Sequence, residues 1–328
     1  MPIYNVAPYV ERALLSALNQ TFESIEFLLV DDRGTDNSMD IVRRIIKEHP
    51  RGKDIRIIEH PHNIGTGATK NTAIDNAQGE YLFFMDSDDE ITPDCIQVLY
   101  DRMMEEKVDM VVGSLTEITV EGEKNVYKLK DQTWRGELCL SKYYYSEKQY
   151  FPVMTWNKLY DLSFLRKNEI RCYPNHLNED MVFSLLLKYY IESFSVVSIS
   201  TISYYRRENS VTGLTVFKKR KADQYLDIFR VYSILLPKYN NTGLESEYFY
   251  DMMRRASLIM MDICDSKELV EKDKSSYCEC IKEILGKTLM NNKSMIFSSA
   301  KYFVNYIYYK LPFGVKYRLR VVLRCLFG

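Results

Sequence analysis

Residues 79–91, GEYLFFMDSDDEI, run from an apolar segment into four carboxylates within five positions, Asp86, Asp88, Asp89 and Glu90. A short apolar run rich in aromatics and bounded by polar residues is the pattern of a buried strand. The acids therefore stand at the carboxyl end of that strand. Two readings are open for so much charge there. One is a solvated turn leading into the helix expected in PDCIQVLYDRMMEE (residues 93–106), with Asp89 or Thr92 as its cap. The other is a divalent cation.

On either side of this stretch, strand and helix patterns alternate. PYVERALLSALNQ (8–20) reads as a helix, IEFLLVDD (25–32) as a buried strand ending in acids, and SMDIVRRIIKEH (38–49) as an amphipathic helix. DIRIIEH (54–60), GATKNTAIDNAQ (67–78) and VDMVVGS (108–114) continue as strand, helix and strand. Strands separated by helices of this length imply a three-layer α/β/α sandwich with a mainly parallel, Rossmann-like sheet. Ligands of such sheets bind outside the carboxyl ends of the strands. Asp31 and Asp32, the acids Asp86, Asp88 and Asp89, and the segment from Asn63 to Lys70 would then face one crevice. Carboxylates gathered there call for a hard, oxygen-seeking ion, Mn²⁺ or Mg²⁺, which takes one or two of them and completes its shell with phosphate oxygens and water. A phosphorylated substrate follows.

Four pieces, PIYNVAPYVERALLSALNQTF (2–22), EFLLVDDRGTDNS (26–38), HNIGTGATKNTAIDNAQGEYLFFMDSDDEITPD (62–94) and NED (178–180), resemble in order and spacing the family 2 glycosyltransferases, inverting nucleotide-sugar enzymes of the GT-A fold. The resemblance covers most of residues 1 to about 210. It implies that Tyr4 lies against the nucleobase and that Asp32 hydrogen-bonds the base or its ribose. Asp86 and Asp88 match the two acids of the family's DXD motif, the first facing the ribose or metal and the second ligating the metal at the diphosphate. Asp180 matches the general base, with Glu179 as its competitor, and Lys70 stands where the family often has a basic residue near the nucleotide. The implied reaction moves a sugar from a nucleoside-diphosphate donor, UDP-linked by the family's habits, to a hydroxyl of a glycan or lipid-linked acceptor. A non-catalytic scaffold of the same fold and a sugar nucleotidyltransferase are the alternatives.

Two departures from the family pattern carry expectations. Arg33 stands where a glycine is usual, leaving Gly34 to make the turn, with the Arg33 side chain near the donor or in solvent. The family also opens with an apolar run ahead of PIYN, whereas this chain starts at Met1-Pro2, so the first strand is expected to be truncated or a stub. In the middle segment, Trp156 is a candidate to stack on a sugar or to pack beneath the site, and Arg206 or Arg207 to approach the diphosphate or to form surface ion pairs. His60 and His62 lack a third ligand for zinc, and His176 has no assigned role.

The whole chain bounds the remaining possibilities. It has 328 residues, 46% hydrophobic and 27% charged, which is the balance of a globular protein. Seven scattered cysteines resemble reduced thiols of a cytoplasmic protein more than a disulfide framework. No signal-peptide pattern and no membrane-spanning run is present in the sequence. Residues 1–215 read as the catalytic domain and 216–328 as a helical region. Glu283 is the last acidic residue, and the tail from residue 295 alternates bulky aromatics with cations. That tail suggests peripheral contact with an anionic membrane surface on the cytosolic face, against packing on the catalytic domain. The near-neutral total and the lack of a recognised module argue against nucleic acid.

Overall fold

The run FLLVD is buried at every position, as expected of aliphatic residues in an interior parallel strand. The computed structural model describes residues 1–146, 152–174, 179–207, 219–267, 269–291, 306–308 and 310–316. In chain order the first elements are β1 (Pro2–Ile3), α1 (Val10–Leu18), β2 (Phe27–Asp31), α2 (Ser38–Glu48), β3 (Ile55–Glu59), α3 (Thr66–Asn76), β4 (Tyr81–Phe83), β5 (Glu90–Ile91), α4 (Cys95–Glu106) and β6 (Met110–Ile118). They are followed by β7 (Lys124–Tyr127), β8 (Gln132–Arg135), α5 (Cys139–Ser141), β9 (Lys158–Asp161), α6 (Leu162–Lys167), α7 (Glu179–Tyr190) and β10 (Ser193–Tyr205).

One parallel sheet has the order β1-β2-β3, with Ile3 beside Asp31 and Asp31 beside Glu59. A second has the path β4-β9-β6-β10-β5, with β7 on β6 and β8 on β10. Its β6 and β10 run parallel, while β9 lies antiparallel to both β4 and β6. The parallel pairing read from the sequence thus holds for the first sheet and for β6 with β10, and the second sheet is mixed. The short strand KLYD of β9 carries no alternation by which a sequence reading finds it. β1 is a stub of two residues that pairs with β2 through Pro2 and Ile3.

Helices flank the sheets on two faces, giving the α/β/α layering. On one face α1 buries Val10, Ala13, Leu14, Ala17 and Leu18, which join Val42 and Ile45 of α2 and Cys95, Leu99 and Met103 of α4 in one core. Each fully buried leucine there contributes about 2 kcal/mol. On the other face Phe84, Tyr160 and Phe183 meet edge to face and seat α7 against β9, with ring centroids 5.7 to 6.0 Å apart.

The chain divides into two compact units, residues 1–143 with 150–213, and residues 144–149 with 214–328. Everything above belongs to the first. In the second, α8 (Lys219–Leu235), α9 (Glu245–Asp265) and α10 (Glu271–Asn291) pack through Phe229, Met252, Met260 and Ile281. Buried Asp251 accepts a hydrogen bond from the Tyr232 hydroxyl at 2.7 Å and pairs with Arg255 at 3.1 Å. Among the described residues no helix is long and apolar enough to cross a membrane. Of the tail from residue 295, only 306–308 and 310–316 are described, so the membrane expectation falls mainly outside the described residues; Lys316 itself is buried.

Candidate active site

β4 ends in Phe83, and buried Phe84 and Met85 carry the chain into the acidic turn. There Asp86, Asp88 and Asp89 bring one carboxylate oxygen each to within 4.8 Å of the others. Asp89 is buried and accepts the Tyr205 backbone N–H at 3.0 Å. Burial, with Asp88 and Asp86 beside it, pushes its carboxyl up to about 8. Burial and then Asp86 also raise Asp88, against the pull of Arg207. The buried Oδ1 of Asp86 has no hydrogen-bond partner, and its nearest cation, Lys70 Nζ, is 3.7 Å away. Clustered hard oxygens, raised acids and an unpartnered carboxylate oxygen together fit a bound Mn²⁺ or Mg²⁺.

Two arginines reach this turn. Arg207 donates to the Asp88 carboxylate with its guanidinium 4.6 Å from the Tyr9 ring centre. Its Nε is buried without a partner. Arg206 turns the other way, to Glu117, and stays mostly exposed. Arg12, from α1, donates to the Asp88 carbonyl at 2.8 Å and lies 3.6 Å over the Tyr205 ring. Nothing in the sequence singled out Arg12, because helical periodicity identifies the apolar face of α1 and leaves its polar positions equivalent.

A second group forms where α3 meets the start of α7. Lys70, buried in α3, donates to Glu179 at 3.0 Å. Burial opposes its charge, but Asp86 and Glu179 outweigh that and hold it protonated. Lys70 thus ties the acidic turn to the first residue of α7, with Asp180 next to it. Burial, then Glu179, raise the Asp180 carboxyl to about 6. Of the NED motif, Asn178 lies outside the described residues, as does His176. Buried Lys158 donates to the Met154 and Trp156 carbonyls, and burial brings its ammonium down to about 7 despite Asp180. Trp156 is buried and stacks on Tyr204 at 5.4 Å, so it packs beneath the site and offers no face to a sugar.

Gly67 makes this meeting possible. A Cβ there would lie 2.3 Å from the Tyr173 carbonyl oxygen and 2.9 Å from Glu179 Cβ. Helix propensity alone would favour alanine over glycine by about 1 kcal/mol, but a backbone oxygen at that distance forces α3 away from the Tyr173 segment, and the Glu179 contact forces it away from α7. Gly67→Ala is therefore expected to destabilise the chain by about 1–3 kcal/mol and to reduce turnover more than nucleotide binding. Thermal unfolding and single-turnover assays read the two effects separately.

At the carboxyl ends of β1 and β2, a cavity of about 220 Å³ is lined by Tyr4, Asn5, Asp31, Arg33 and the start of α2. Tyr4 is half exposed there. Asp32 points elsewhere: its oxygens accept from His60 Nδ1 at 2.8 Å and from the Ile64 and Gly65 N–H groups at 2.9 Å each. It anchors the loop before α3, and His60, bridging it to Thr72, serves that loop and not a metal. The aspartate that shares the cavity with Tyr4 is Asp31. The turn also differs from expectation, since Arg33 itself adopts the left-handed conformation, φ 57°. Gly34 is needed instead for close approach, because a Cβ there would stand 2.7 Å from the Asn5 nitrogen. Arg33 lines the cavity, donating to the His60 carbonyl at 2.5 Å and to Glu59 at 2.9 Å.

The chain is similar to known proteins over much of its length. The family model described as glycosyl transferase family 2 matches residues 1–182. An uncharacterized glycosyltransferase of Haemophilus influenzae is 27% identical over 254 residues, 73% of this chain and 94% of that protein. A poly(ribitol-phosphate) beta-glucosyltransferase of Bacillus spizizenii is 32% identical over 191 residues, 56% of this chain and 28% of that protein, so this chain spans well under half of that relative. The crystal structure of S. aureus TarS residues 1–349 in complex with UDP-GlcNAc superposes with a TM-score of 0.55 at 21% identity, covering 98% of this chain and 80% of that one. At that identity the likeness concerns the fold alone, which is GT-A.

Proposed function

The chain belongs to glycosyl transferase family 2, a family of nucleotide-sugar transfer in glycan synthesis, and from that premise we propose an inverting transfer from a UDP-sugar to an acceptor hydroxyl, with Asp180 as general base. The observation that carries this reading is Lys70, whose Nζ lies 3.0 Å from Glu179 and 3.7 Å from Asp86. One buried cation thereby joins the donor-side acids to the helix start that bears the base.

The donor's base lies against Tyr4 with Asp31 as its hydrogen-bond acceptor, a role the residue pattern had given to Asp32. Asp86 and Asp88, with Asp89 of the same cluster, would hold a divalent ion, Mn²⁺ or Mg²⁺. When bound, such an ion neutralises charge developing on the departing diphosphate. The unpartnered Nε of Arg207 supplies an N–H for the same diphosphate. Asp180 removes the acceptor's proton as its oxygen attacks the anomeric carbon, and inversion follows from attack opposite the leaving group. A carboxyl raised to about 6 by burial is a stronger base than an ordinary aspartate and is still ionised at pH 7. The acceptor is a glycan or lipid-linked glycan, and the absence of acidic residues after Glu283 supports contact with an anionic membrane surface. Sugar transfer sets this reading apart from a scaffold or a nucleotidyltransferase.

The test is transfer from UDP-sugars labelled in the sugar. Label is expected in the acceptor, with UDP released; label absent from the product while the nucleotide is retained there would overturn the reading. Because Asp180 acts when deprotonated, log kcat/KM is expected to fall with unit slope below about pH 6 and to level off above it.

A further inference from the structure

The acidic turn offers four carboxylates, yet only Asp86, Asp88 and Asp89 gather their oxygens. Glu90 is turned away and held by two groups from distant elements. Arg12 Nε of α1 lies 2.7 Å from Glu90 Oε1, an ion pair off the axis of a directed hydrogen bond. The Tyr205 hydroxyl at the end of β10 donates to Glu90 Oε2 at 3.0 Å. The same two residues also grip the turn itself. Arg12 donates to the Asp88 carbonyl at 2.8 Å, and the Tyr205 N–H donates to Asp89 at 3.0 Å. The circle closes on itself, because the Arg12 guanidinium sits 3.6 Å over the Tyr205 ring.

We propose that Arg12, with Glu90 and Tyr205, is the positioning clamp of the metal-binding turn: it withdraws Glu90 and fixes the backbone on which Asp88 and Asp89 present their carboxylates. This deepens the donor-site reading and rests on it. The physical reason is that neighbouring carboxylates repel, so an unclamped turn opens and spreads its oxygens. Arg12 counters this from outside the ligand set, with its charge beside Asp88 and its fork between a carbonyl and a carboxylate. Groups that orient ligands in this way typically change metal affinity 10–100-fold when removed.

The experiment is titration of Mn²⁺, followed by its paramagnetic resonance, into the wild-type chain, Arg12→Met, Arg12→Lys, Glu90→Gln and Asp88→Ala. Arg12→Met is expected to weaken Mn²⁺ by about tenfold. Lysine, which restores charge without the fork, should recover part of that loss, and Glu90→Gln should shift affinity in the same direction by less. In assays the KM for Mn²⁺ should rise while kcat at saturating Mn²⁺ and the acid limb set by Asp180 stay put, which a general loosening of the fold would not allow. Unchanged or tighter Mn²⁺ binding in Arg12→Met, or in Glu90→Gln if the methionine variant does not fold, would overturn the clamp while leaving the metal site standing. Failure of the wild-type chain to bind Mn²⁺, or full binding by Asp88→Ala, would overturn the metal reading and the clamp together.

Discussion

Asp180→Asn is expected to lower kcat by at least about 100-fold while leaving UDP affinity within about twofold, since a positioned base contributes 10²–10⁴. The amide keeps the size of the side chain and cannot accept the acceptor's proton. Asp180 lies at the first turn of α7, next to Glu179, whose ion pair with Lys70 reaches toward the donor side. Its loss therefore leaves the cavity at Tyr4 and Asp31 and the acidic turn in place. Glu179→Gln separates the roles of the adjacent acids. Removing the Glu179 charge takes a partner from Lys70 and a repelling neighbour from Asp180, so turnover should fall by less, with the acid limb moving below its wild-type position. Rapid-quench turnover with calorimetric UDP binding makes the comparison. Asp180→Asn with near-normal kcat would assign the base elsewhere, with Glu179 the first candidate.

Asp88→Ala is expected to abolish the Mn²⁺-dependent part of UDP binding, a loss of at least about 100-fold, as befits removal of one of one or two protein ligands to a Mg²⁺- or Mn²⁺-type ion. Calorimetric titration of UDP with and without Mn²⁺ reads this directly. The variant should still fold, since Asp88 is raised by burial and by Asp86 and so carries its charge at a cost to the folded state. Against that gain stands Arg207, which loses its carboxylate partner. A melting temperature within a few degrees of wild type is expected, and metal-dependent binding that survives the substitution would remove Asp88 from the site. At pH 7, Mn²⁺ binding to the wild-type chain should also release protons, as Asp89, pushed up to about 8, ionises beside the cation.

Much of the scaffold was legible because it is written in local periods. The buried run of β2, the apolar face of α1 and the step from YLFF into DSDDE follow from side chains near one another in the chain. Where a side chain's role depends on a partner, that partner comes from elsewhere in the chain. Asp31 and Asp32 are adjacent and chemically identical. They part because His60, Ile64 and Gly65 close on the second, while the first, which accepts the Arg33 N–H at 2.9 Å, lines the cavity. Arg33 takes the left-handed turn position because its side chain finds His60 and Glu59, contacts a glycine could not make.

By itself the sequence determined the α/β/α class, the carboxyl-end location of the acids and the membership that four ordered motifs announce. Only the tertiary structure decided which oxygens are available. Lys70 meets Glu179 across 109 positions of chain, Arg12 meets the Asp88 carbonyl across 76, and Arg207 reaches Asp88 across 119. No period or spacing encodes such meetings. They are set by how helices and strand ends pack, and a buried carboxylate's charge, its pKa and its freedom to bind a cation depend on the partner that packing delivers.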